Sequence, residues 1–84
     1  METADRVLQL AEVLDQLGDD SSLPRNIRKG ALKAKEHLMN KDEALDVRAA
    51  SATFILDDLA NDPNIPMHGR TRIWEIMSQL ETLK

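Results

Sequence analysis

Val13–Leu14–Asp15–Gln16–Leu17–Gly18–Asp19–Asp20–Ser21–Ser22–Leu23–Pro24 has a counterpart 42 residues on, Ile55–Leu56–Asp57–Asp58–Leu59–Ala60–Asn61–Asp62–Pro63–Asn64–Ile65–Pro66. Each stretch closes an apolar run, breaks, and restarts at a proline. Leu14 and Leu17, like Leu56 and Leu59, have the spacing of one helix face. Pro24 and Pro66 suit a first helical turn, where N–H groups lack helical partners in any case. The same offset lays Arg6 over Arg48, Arg28 over Arg70 and Leu38 over Leu80. Eight of the 42 pairs are identical, where ordinary composition gives roughly three. The chain therefore reads as two related helical hairpins, about 4–39 and about 43–83, in one domain of 84 residues. The alternative is chance likeness between amphipathic helices. One hairpin cannot bury its apolar face alone. Two that face each other can, which predicts an all-α four-helix bundle.

Working outward, the first helix is expected over Ala4–Leu17, with Val7, Leu10, Ala11, Leu14 and Leu17 inward. Gly18 is a natural stop, being free to take positive φ. The second is expected over Leu23–Met39, capped by Ser22, with Ile27, Ala31, Ala34 and Leu38 inward. The third is expected over Glu43–Ala60, capped by Asp42, with Leu45, Ala49, Ala52, Leu56 and Leu59 inward. The fourth follows the turn Asn61–Pro66 and runs to Leu83, with Ile73, Ile76, Met77, Leu80 and Leu83 inward.

The net charge of −4 is spread along the chain and opposes general coating of DNA. The absence of cysteine excludes disulfides, thiolate metal sites and cysteine nucleophiles. Met1–Asp5 lacks the basic start and long apolar run of a signal peptide. No run approaches the roughly 20 apolar residues needed to span a bilayer. A cytoplasmic protein without membrane contact is the expectation.

The segments Leu23–Pro24–Arg25–Asn26–Ile27–Arg28–Lys29, Asp46–Val47–Arg48–Ala49–Ala50 and Asn61–Asp62–Pro63–Asn64–Ile65–Pro66 resemble a small archaeal family, uncharacterised protein family 0147. The resemblance covers nearly the whole chain. It implies a bromodomain-like four-helix bundle in an archaeal cytoplasmic protein, and it carries no activity, cofactor or functional residue. A weaker likeness links Asp42, Val47–Arg48 and the cluster Ala49, Ala50 and Ala52 to the second helix of a HEAT-type repeat. Solenoids of such repeats usually need three or more hairpins, and this chain offers two.

No catalytic, cofactor-binding or metal site is expected. His37 and His68 lie on different helices, outside any His–Glu–x–x–His pattern, and read as surface or turn residues. The serines lack a nucleophile elbow. No glycine-rich loop cradles phosphate. The acidic groups Asp15, Asp19 and Asp20, and Asp57, Asp58 and Asp62, read as solvated helix ends, without the glycine and spacing of a calcium loop. Asp20 and Asp62 are expected to cap, and to pair with Arg28 and Arg70 one turn inside the following helix, rather than to form twin ligand sites.

Two surfaces remain. The second helix carries Arg25, Arg28, Lys29, Lys33 and Lys35, with Arg25, Lys29 and Lys33 on one face. They form either a phosphate- or nucleic-acid-binding patch or a solvated face paired with acids nearby. No aromatic interleaves with them, so base stacking is unsupported. Leu8, Leu32, Phe54, Met67 and Trp74 lie beside or off the inner stripes. They either widen the core or form an interface. Trp74 is read as core, while Leu32 and Phe54 fit both readings equally. Should they face outward instead, Leu32, Phe54 and Trp74 are the candidate interface. The expected function is a non-enzymatic interaction protein, binding an unknown protein or a second copy of itself. The alternative is an RNA- or ribosome-associated protein using the basic helix.

Overall fold

Spacings of three and four resolve into four helices in a computed structural model, which describes residues 3–83. These are α1 (Thr3–Gly18), α2 (Arg25–Leu38), α3 (Leu45–Ala60) and α4 (Met67–Glu81). No strand occurs among the described residues. Met1 and Glu2, part of the segment read above for a leader, lie outside them, as does Lys84.

The inward stripes pack into one core fed by all four helices. Leu14, Ile27, Leu38, Leu56, Ile73 and Leu80 are fully enclosed. Burying each such side chain contributes about 1.5–3 kcal/mol before entropy is charged. Leu14 with Leu56, and Leu38 with Leu80, are partners at the 42-residue offset, so the halves supply matching core anchors. Leu45 and Met77, expected inside, are partly buried at the core's margin.

The three linkers, 19–24, 39–44 and 61–66, share one geometry. The side-chain oxygen of Asp20, Asn40 or Asp62 accepts the backbone N–H two residues on, at 2.9, 3.1 and 2.8 Å. The backbone carbonyl of the same residue accepts the N–H three residues on, at 3.0, 3.2 and 3.2 Å. Asp and Asn favour such turns because their short side chains mimic a backbone acceptor. The helix then starts after Pro24, Ala44 or Pro66, each with ψ near 150°. These residues are the N-caps, and none makes a side-chain capping bond. Ser22 and Asp42, expected as caps, sit in the turns instead, because the preceding acceptor at position 20 or 40 already holds the turn's N–H groups.

A second correction concerns the arginines. Arg6, Arg28, Arg48 and Arg70 each occupy the fourth position of their helix. Arg28 and Arg70 do not bond the Asp20 and Asp62 carboxylates. The Nε of Arg28 donates to the Leu23 carbonyl at 3.2 Å. The Nε of Arg70 donates to the Ala60 carbonyl at 3.0 Å, and its Nη2 to the Asp62 backbone carbonyl at 3.4 Å. Arg48 donates to the Leu38 carbonyl at 2.8 Å. Arg6 reaches the far end of the chain, donating to the Thr82 and Gln79 carbonyls and the Thr82 hydroxyl. The last carbonyls of a helix lack intrahelical partners and carry the negative end of its dipole, so a guanidinium is drawn there. Arg48, Arg70 and Arg6 thus tie the ends of α2, α3 and α4 to the next helix round the bundle.

Helices α1 with α2, α2 with α3, and α3 with α4 pack directly, and α1 meets α4 more sparsely, while α1 with α3 and α2 with α4 do not pack side by side. Small residues bring α2 and α3 close: Gly30, Ala31 and Ala34 on one side, Ala49 and Ala52 on the other. A Cβ on Gly30 would run into both methyls of Leu59. Gly18 ends α1 without positive φ. Its missing Cβ makes room for the Leu32 side chain instead. The radius of gyration, 11.8 Å, matches the roughly 12 Å of a compact chain this long. The hairpins therefore share one interior rather than splay apart.

Candidate functional site

The expected basic patch divides. Lys35 is spent on Asp15 across the α1–α2 seam, at 2.8 Å. Arg28 is spent on the Leu23 carbonyl. Arg25, Lys29 and Lys33 form an exposed row on α2, with no hydrogen-bond or ion-pair partner among the described residues. Asp20 and Asp62, which could have neutralised them, are engaged elsewhere. The Asp62 carboxylate accepts from Asn26 at 2.7 Å as well as from the turn.

The expected interface residues are exposed. Phe54 has 69% of its surface open and Trp74 has 53%. Trp74 thus corrects its core reading: the neighbours Ile73 and Ile76 fill the interior of α4, and the indole falls on the outer side. Leu32 is exposed at the margin, lying over Gly18. Leu8, Val47 and Met67 are also exposed. Val47 and Phe54 on α3, and Met67 and Trp74 on α4, are each seven residues apart. That spacing puts each pair on one face of its helix, so neighbouring helices carry two outward apolar rows. Val47 escaped the sequence reading because a lone valine beside the stripe gives no signal; its partnership with Phe54 was the clue.

One polar cluster was missed altogether. The Ser22 hydroxyl donates to Asp20 Oδ1 at 2.6 Å, and His68 Nε2 lies 2.9 Å from the same hydroxyl oxygen. His68 Nε2 is 3.8 Å from Asp20 Oδ2. The Ser22 hydroxyl and then its N–H hold the Asp20 carboxyl below its ordinary pKa, with smaller help from His68 and Arg72. This trio lacks the order of a hydrolytic triad. There the acid orients the far ring nitrogen of the histidine, whereas here it accepts the hydrogen bond of the serine hydroxyl itself. The cluster instead fastens the first turn to the start of α4. Across the chain, no group of three or more His, Asp or Glu among the described residues is placed to hold a metal ion. No helix there is long and apolar enough to cross a membrane.

Residues 1–83 match the model of an uncharacterised protein family, UPF0147. The chain belongs to that family. A UPF0147 protein of Methanosarcina acetivorans is 48% identical over 82 residues, covering 98% of this chain and 84% of the relative. One from Methanocaldococcus jannaschii is 47% identical over 83 residues, covering 98% and 89%. Among solved structures, a UPF0147 protein from Thermoplasma acidophilum superposes with a TM-score of 0.92 at 39% identity, over 100% of both chains. The unknown function protein MMP1188 gives 0.93 at 46% identity, over 96% of this chain and 92% of that one. Both solved structures thus share the fold of this chain, and the family is an uncharacterised one.

Proposed function

We propose that this UPF0147 protein is a non-enzymatic cytoplasmic interaction protein that docks a protein partner on the outer face of α3 and α4. The observation that carries this reading is the pair of outward rows, Val47 with Phe54 and Met67 with Trp74, on a bundle whose core is already complete. Aromatic and Met side chains are enriched where proteins meet. Left in water, they gain nothing for the fold. A second copy is the first partner to test. Size-exclusion chromatography with light scattering should give a dimer that Phe54→Glu with Trp74→Glu converts to monomer without loss of helicity. A strict monomer at millimolar concentration would remove self-association and leave a different protein as the occupant.

The unpaired row Arg25, Lys29 and Lys33 favours a second reading, a surface that meets RNA phosphates. Its binding would weaken steeply with salt and vanish when the three become Glu. No binding at low salt would end that reading.

The identities at the 42-residue offset also support descent of the two halves from one duplicated hairpin.

A further inference from the structure

At the end of the bundle where α1 begins, α2 finishes and α3 starts, a hollow of about 350 Å³ opens to solvent. Its wall is aliphatic: Val7 and Leu8 from α1, Met39 after α2, and Leu45 from α3. Among the described residues, two cations stand in its lining, Lys41 and Arg48, and no acidic side chain does. Neither cation has an acidic partner among the described residues. Lys41 is exposed and has no partner among the described residues. Arg48 is half-buried, with Nε fixed on the Leu38 carbonyl at 2.8 Å. Its guanidinium is therefore held in place by a bond that leaves its other N–H groups free to bind. Two of the nearby acids are turned away, Asp46 to the backbone and Glu43 to the turn, while Asp42 is exposed in the turn beside Lys41. Asp46 accepts the Val47 N–H at 2.9 Å, and Glu43 accepts from Asn40 at 3.1 Å.

Two other hollows lack this combination. The cleft between α1 and α4 is lined by both Arg72 and Glu75, so its charges oppose each other. The trough beside Phe54 has no Lys or Arg. Small-ligand sites are mostly apolar with a few fixed polar groups, and run from about 300 Å³ upward. The hollow at the α1 end meets that description at its small limit.

We propose that it binds a small anionic amphiphile, with a short aliphatic chain against Val7, Leu8, Met39 and Leu45 and a carboxylate or phosphate head on Lys41 and Arg48. Both parts are needed. The head alone would meet an exposed lysine and a half-buried arginine with little gain, and the chain alone would leave the cations unused.

Amide chemical-shift mapping by NMR on the whole chain tests this with octanoate, octyl phosphate, octyltrimethylammonium and acetate. Saturable shifts confined to Leu8, Lys41, Leu45 and Arg48 are expected with octanoate or octyl phosphate, and none with the cation or acetate. The tighter of the two anions identifies the head group. Lys41→Glu should weaken binding by roughly fivefold or more with an unchanged melting curve. If that variant melts early, Lys41→Gln takes its place and should still bind more weakly than the native chain. The proposal is overturned by any of three results: no saturable shift with either anion, native affinity in the Lys41 variants, or shifts centred on Arg25, Lys29 and Lys33. None of these touches the α3–α4 docking face, which is read separately by light scattering.

Discussion

The pairing of Arg6 with Arg48 and of Arg28 with Arg70 was visible in the sequence, but their partners and their shared fourth position in the helices were not. Arg28 and Arg70 align at the 42-residue offset, and the aspartates before them suggested ion pairs. The acceptors are carbonyls, which every residue carries and no spacing marks. Arg70 makes the sharpest test, because Ala60, whose carbonyl it holds, is buried. Arg70→Ala removes charge-assisted bonds to the Ala60 and Asp62 carbonyls, at a cost of about 1–2 kcal/mol given its half-buried position. For a domain this small, the melting temperature should fall by about 4–8 °C per kcal/mol. Arg70→Lys should recover part of the loss, since an ammonium reaches one carbonyl but cannot fork between two. The Arg6 contact is solvent-exposed, so Arg6→Ala should cost less. A melting curve for Arg70→Ala that overlies the native one would show that the clamp does not stabilise the fold.

Helix stripes were legible because burial imposes their period: Leu14, Leu38, Leu56 and Leu80 stand where the spacing put them. Residues beside a stripe were not legible. Trp74, Leu32 and Phe54 depend on how neighbouring helices tilt and how close they come, which a linear pattern does not encode. Closeness is set by small residues, and the α2–α3 seam makes this testable. A Cβ at Gly30 would stand 2.5 and 2.7 Å from the two methyls of Leu59, which is itself buried and has little room to turn. Gly30→Ala should therefore destabilise by about 1–3 kcal/mol, despite the helix propensity of about 1 kcal/mol that alanine adds. Gly18→Ala meets Leu32, whose side chain is exposed and can rotate outward. That change should be near neutral. Chemical denaturation of both variants checks the contrast, and equal losses would mean that Leu59 yields as easily as Leu32.

At the scale of the molecule, the tightest seam joins the two halves rather than the helices within one hairpin. Ile27, Ala31, Ala34 and Leu38 of the first half are covered in part by Ala49, Ala52 and Leu56 of the second. Cutting the chain between Lys41 and Asp42, both exposed in the middle turn, breaks no core contact directly but makes that seam intermolecular. Each fragment would then hold two helices of 14–16 residues, close to the length at which isolated helices are marginal in water. Each would also expose an Ala- and Leu-lined face. Circular dichroism should find both fragments mostly unstructured alone and strongly helical when mixed. The mixture's helicity should fall on dilution, because association now carries an entropic cost that the intact chain avoids. Arg48→Ala in the second fragment should weaken reassembly further, since its bond to the Leu38 carbonyl crosses the cut. If the first fragment alone were fully helical and monomeric, the hairpin would be self-sufficient. The shared interior would then be a consequence of joining two folded units, not the condition for folding either.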